Sequence, residues 1–134
     1  MARRSSCYVD TSAFIAFLDR SDSHHALFRR LFSAPPPLET SALVIAEGHG
    51  WFLRRYDRRK AVHFLAFLEE LPALEIRPFN AGELSSTGAI VRKFGDQDLT
   101  LADAHGISIM GRRKFELCWS TDWHLSLGGV PLVS

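Results

Sequence analysis

Several acidic side chains in this sequence stand where a carboxylate has no ordinary neighbour to pair with. Asp10 directly follows the apolar run Cys7-Tyr8-Val9, and Asp122 comes just after a second apolar run, Phe115 to Ser120. Glu47 lies inside Leu43-Val44-Ile45-Ala46-Glu47-Gly48-His49-Gly50-Trp51-Phe52-Leu53, with no lysine or arginine one turn toward the N-terminus. A charged carboxylate buried there without a partner costs several kcal/mol. Asp103 sits in Asp98-Leu99-Thr100-Leu101-Ala102-Asp103-Ala104, with Asp98 just ahead of it. Like charges about 4 Å apart repel by roughly 4 kcal/mol at an effective dielectric near 20, so gathered acids need protons or cations between them. Oxygen donors without cysteine or paired histidine suit Mg²⁺ or Mn²⁺ better than zinc. Such an ion activates water and neutralises charge developing on a phosphate.

Each acid also has a local explanation. Asp10 and Asp122 are each placed to cap the helix or turn that follows. Thr100 and Asp103 have the spacing of a capping box, Asp98 can serve simply to solvate its loop, and Glu47 can pair with a cation from elsewhere in the chain. What favours a shared site is position. Acids after two different strands of a parallel sheet fall where open α/β sheets collect ligands. Gly48 and Gly50 weaken the helix around Glu47 and permit a close approach by another backbone or a substrate.

The elements that must hold these residues alternate between strand and helix. Cys7 to Val9 reads as a buried strand, followed by a helix from about Ala13 to Leu18. Leu27, Leu31 and Phe32 mark a second helix that Pro35, Pro36 and Pro37 stop. Thr40 and Ser41 are N-cap candidates for a long helix through about Arg55. Ala61, Phe64, Leu65 and Leu68 define another helix, closed near Pro72. Leu74, Ile76 and Phe79 alternate as in a strand. Asn80 caps a helix toward Phe94, Thr100 starts the next, Phe115 to Ser120 is a buried strand, and Val130 to Val133 a last short one. This order predicts an α/β fold: a three-layer αβα sandwich with a mainly parallel central sheet, in one domain spanning 1–134.

Composition agrees with a globular chain: 46% hydrophobic and 23% charged, with a net charge of +1 that announces no global affinity for nucleic acid. Local basic clusters do exist, at Arg54, Arg55, Arg58, Arg59 and Lys60 and again at Arg112, Arg113 and Lys114. They read either as solvated helix ends or as phosphate contacts. Cys7 and Cys118 lie in apolar runs and read as reduced core residues. With the basic, polar segment Met1 to Ser6, which lacks a signal-peptide core, they point to a cytoplasmic protein. No window is long enough to cross a membrane. His24 and His25 face different sides of a helix and make a poor metal pair. His124 is placed to touch a phosphate, whereas Trp51 and Phe52 read as core or as a dimer surface.

Four segments together resemble the PIN-domain family, particularly VapC-like toxins: Tyr8-Val9-Asp10-Thr11-Ser12-Ala13-Phe14, Thr40 to Glu47, Asp98 to Ala104, and Ser120-Thr121-Asp122-Trp123-His124. The resemblance implies a metal-dependent endoribonuclease, frequent homodimers and a small cognate antitoxin. It maps Asp10, Glu47, Asp103 and Asp122 onto the family's acidic quartet, Asp98 onto a supporting acid, and Thr121 onto a small hydroxyl residue before the last acid. Ala102 stands where many members carry threonine, and Trp123 is bulkier than usual. The competing expectation is a noncatalytic RNA-binding or complex-forming module on the same fold. A phosphatase or phosphoryl-receiving domain fits poorly, because Asp10-Thr11-Ser12 lacks the second aspartate of the haloacid-dehalogenase pattern.

Overall fold

The structure, a computed structural model, describes residues 6–134, so the reading of Met1 to Ser6 falls almost wholly outside it. Strand β1 (Cys7–Val9) leads into α1 (Thr11–Leu18) and α2 (His25–Ser33). Strand β2 (Leu38–Ser41) is followed by the antiparallel pair α3 (Ala42–Arg55) and α4 (Arg58–Glu70). Then come β3 (Leu74–Arg77), α5 (Ala81–Lys93), α6 (Leu101–Met110), β4 (Leu117–Trp119) and a single 3-10 turn, Trp123–Ser126. The four strands are ordered β3-β2-β1-β4, and every pairing is parallel.

Helices cover both faces, giving the expected three layers. Side chains alternate across a strand, so Cys7, Val9 and Trp119 pack with α1 to α4, and Tyr8 and Cys118 pack with α6. The first face is rich in rings: Phe14 and Phe32 stack at 5.8 Å, and Phe32 meets Trp119 edge-on at 5.0 Å. Gly48 makes the α3–α4 contact possible. A Cβ there would lie 2.6 Å from the ring of the buried Phe64. The close approach at this glycine is made by a side-chain ring of the neighbouring helix, not by a backbone or a substrate.

Several boundaries differ from the sequence reading, among them β3, which stops at Arg77 and leaves Phe79 outside it. Thr40 is not a helix cap but the penultimate residue of β2, and Ser41 alone caps α3, accepting from Leu43 N at 3.0 Å. β2 carries a polar Leu-Glu-Thr-Ser sequence yet is wholly buried, so its hydrophobicity gave no sign of a strand. The strand expected over Phe115 to Ser120 is confined to Leu117–Trp119, and the one expected over Val130 to Val133 is a single bridge between Leu132 and Cys118. Among the described residues no helix is long and apolar enough to cross a membrane.

Candidate metal centre

Asp10 occupies the N-cap position of α1, yet its side chain makes no capping bond. Its carboxylate serves a different purpose. Oδ2 accepts from the Ser12 hydroxyl at 3.0 Å and from the Ser120 hydroxyl at 3.0 Å. Ser120 Oγ also accepts from the Asp122 amide at 2.9 Å, and Ser12 Oγ accepts from the Thr121 amide at 3.0 Å. Two serines therefore stitch the carboxyl end of β1 to the carboxyl end of β4. Asp10 is only 4% exposed. Burial pushes its carboxyl from 3.8 up to about 6, against the pull of the Ser120 hydroxyl and with a further push from Asp103.

Asp103 does close the capping box: its Oδ2 accepts from Thr100 N at 3.2 Å while its own amide donates to Thr100 Oγ1 at 3.1 Å. It is buried all the same, and desolvation raises its carboxyl, with the Asp122 charge adding to the effect. Asp122 starts the 3-10 turn, accepting at Oδ1 from His124 N at 3.1 Å and lying 2.7 Å from His124 Nδ1. His124 is thus held on an acid. The Trp123 ring stacks on it at 4.1 Å and stays 55% exposed, so this indole is not part of the core.

Glu47 is half-buried beside the inward stripe of α3, which runs through Val44, Gly48 and Phe52 rather than through Glu47 itself. The Tyr8 phenol is buried among these acids' charges and has no hydrogen-bond partner among the described residues. Burial holds that phenol protonated, helped by the charges of Asp10, Asp103 and Glu47. Asp98 is exposed in the loop before α6, with no hydrogen bond to the other four among the described residues.

As the side chains are oriented, no three His, Cys, Asp or Glu among the described residues close on one point to hold an ion. The donors still suit a hard cation. Asp10 and Asp103 are buried, and neither pairs with a lysine or arginine among the described residues. Asp103 and Asp122 each commit one oxygen to a local cap, leaving the other to meet a ligand. The capping and metal-binding readings of these residues are therefore compatible.

Two polar networks behind the acids escaped the sequence reading. Ser41 Oγ lies 2.5 Å from His105 Nδ1, His105 Nε2 lies 2.9 Å from Glu83 Oε1, and Arg112 donates to Glu83 Oε2 at 2.7 Å. The order resembles a serine-hydrolase triad, but Ser41 and His105 are fully buried, which excludes a substrate. The network instead joins the start of α3, the helix of Glu47, to α6, the helix of Asp103. The second centres on Glu39 of β2, buried and paired with both Arg77 and Arg113. Arg112 and Arg113, two of the three residues of the second basic cluster, are thus engaged in internal ion pairs.

A family model described as PIN domain matches residues 7–127. A search of the curated proteins finds no match. Among solved structures, Mycobacterium tuberculosis VapC20, described as a sarcin–ricin loop cleaving toxin, superposes with a TM-score of 0.85 at 23% identity, covering 95% of this chain and 98% of that one. VapBC2 from Rickettsia felis, bound to a DNA fragment from its promoter, matches with a TM-score of 0.63 at 14% identity, covering 96% and 97%. The Pyrobaculum aerophilum protein PAE2754 matches with a TM-score of 0.64 at 17% identity, covering 96% and 88%.

Proposed function

Because this chain belongs to the PIN-domain family, we propose that it is a metal-dependent endoribonuclease, a single catalytic domain over 1–134 acting as the toxin of a toxin–antitoxin pair. The observation that carries the reading is the burial of Asp10 without a counter-cation, tied through Ser120 to the strand end that bears Asp122. Asp10, Glu47, Asp103 and Asp122 would hold Mg²⁺ or Mn²⁺, with Asp98 as a supporting acid at the edge. A divalent ion there supplies Lewis acidity at the scissile phosphate. Ser12 and Ser120 orient Asp10, the capping bonds hold Asp103 and Asp122 against rotation, and His124 keeps Asp122 aligned. The likeness to VapC20 supports RNA as the substrate class, and the likeness to VapBC2 supports an antitoxin as partner. A homodimer in the cytoplasm completes the reading.

The test is cleavage of RNA by purified protein in Mg²⁺ or Mn²⁺ and in EDTA, beside Asp10→Asn. Activity confined to the wild type with metal is expected, and equal cleavage by the variant would assign the activity to a contaminant. One observation favours the noncatalytic module: the acids as oriented do not close around a common point. RNA bound equally well in EDTA and never cut would select that reading.

A further inference from the structure

The two basic clusters have different fates. Arg112 and Arg113 are absorbed by Glu83 and Glu39. The cluster around Arg55 to Lys60 opens instead onto a groove of about 1060 Å³, bordered by the end of α1, the start of α2 and the α3–α4 turn, with an adjoining pocket of about 680 Å³. Arg20, Arg29, Arg55, Arg59 and Lys60 reach these two hollows from four separate segments. Among the described residues none of the five forms an ion pair at salt-bridge distance. Two acids line these hollows: Asp57, exposed, caps α4 by accepting from Lys60 N at 2.9 Å, and Asp19 is buried and already engaged. Burial pushes its carboxyl up, but the Ser21 hydroxyl and amide, Tyr56 and Arg55 outweigh that and hold it below the ordinary range.

An aromatic ring stands among these cations. Tyr56 is 39% exposed, with Arg55 5.1 Å and Lys60 5.5 Å from its ring centre. Cations from several elements gathered around an exposed ring suit a single strand of nucleic acid, whose phosphates pair with the cations while a base stacks on the ring. Guanidinium forks match phosphate oxygens better than a diffuse field would. The groove is also connected to the acids. α1 starts beside Asp10 and ends at the groove, and α3 passes from Glu47 to Arg55. Each path is about 12 Å at the rise of an α-helix.

We propose that this groove is a second contact for RNA, gripping the strand through its phosphates and one stacked base a few nucleotides from the scissile bond. The inference rests on the ribonuclease reading for the identity of the strand. An acidic protein segment is the competing occupant, and the experiment separates the two.

Binding of a fluorescent single-stranded RNA is measured by anisotropy in EDTA over a range of salt, so that cleavage plays no part. Arg29→Glu with Arg59→Glu reverses one charge in each of the two adjoining hollows, Tyr56→Ala removes the ring they share, and Lys114→Glu is an exposed control outside them. The double variant is expected to bind about tenfold more weakly or worse, with a salt slope shallower by about 1.4 for two lost phosphate contacts. Tyr56→Ala is expected to bind at least about fivefold more weakly, and Lys114→Glu like the wild type. Thermal melts of all variants verify folding, and a misfolded double variant leaves the decision to Tyr56→Ala. Wild-type affinity in the groove variants, or an equal loss in the control, overturns the proposal. So does a groove that releases a polyglutamate peptide but not RNA when mutated. If groove-dependent RNA binding persists in a wild type that never cuts RNA with metal, the nuclease reading fails and the groove stands. Cleavage by a chain whose groove variants bind normally sinks the groove alone.

Discussion

The hydroxyl of Ser120 donates to Asp10 Oδ2 at 3.0 Å across a sequence separation of 110 residues. One short side chain thereby joins the ends of two adjacent strands and aims the most buried acid of the site. Its position also sets how readily that acid gives up its proton, because the hydroxyl opposes the effect of burial.

With its carboxyl raised from 3.8 to about 6, Asp10 binds a proton in the folded chain over a range where the unfolded chain has lost it. Its contribution to metal-free stability is therefore most favourable below the unfolded value, declines as pH rises through about 4 to 6, and is fully unfavourable above that window. Asp10→Asn removes this penalty. In EDTA at pH 7 the variant should be more stable than the wild type by about 2–3 kcal/mol, with the gap closing toward pH 4. Paired denaturant titrations at the two pH values measure it, and a gap independent of pH would refute it.

Ser120→Ala should push the Asp10 carboxyl higher still and loosen the tie to Asp122. Protons compete with metal for a carboxylate, so Mn²⁺ binding followed by calorimetry should need a more alkaline medium than in the wild type. The lost bonds should cost about 1 kcal/mol of stability, and Ser120→Thr should restore both properties. An unchanged pH profile in the alanine variant would show that the hydroxyl does not tune the acid.

At Gly48, added volume has nowhere to go. Its Cβ would meet Phe64, itself pressed between Phe14 and Phe52 at ring distances of 5.9 and 5.5 Å. Gly48→Ala should lower stability by about 1–3 kcal/mol despite its better helix propensity. A thermal midpoint equal to or above the wild type's would mean that α4 shifts at no cost.

Trp123 presents an open indole face beside Asp122. Trp123→Ala should weaken RNA binding by about 1–3 kcal/mol, the contribution of one stacked base, and leave the folded stability nearly unchanged because the ring is 55% exposed. Anisotropy in EDTA together with a thermal melt checks both, and a large fall in stability with intact binding would make the residue structural.

The strand-end acids were legible because β1 and β4 are apolar runs that stop at a polar residue, and parallel topology brings such ends together. Asp103 was legible twice over, as cap and as candidate ligand, and the geometry allows both. Glu39 was not. A strand reading Leu-Glu-Thr-Ser has no hydrophobic signature, and its burial depends on Arg77 and Arg113, whose role only three-dimensional neighbours reveal. Ser120 was missed for a similar reason. Thr121 adjoins the last acid in sequence, but its side chain is exposed and the inward hydroxyl belongs to 120.

The Glu39 ion pairs also bear on the order in which the molecule can be assembled. A carboxylate in the middle of the sheet is tolerable only once guanidinium groups from β3 and from the segment after α6 have arrived. A nascent chain that has emerged only as far as α5 carries one of the two, Arg77, and lacks β4 beside β1. Closure must wait for the C-terminal third, and the acid-bearing strand ends come into register only then. A chain that ends at α5 also lacks Asp103 and Asp122, so two of the four gathered acids are the last to arrive.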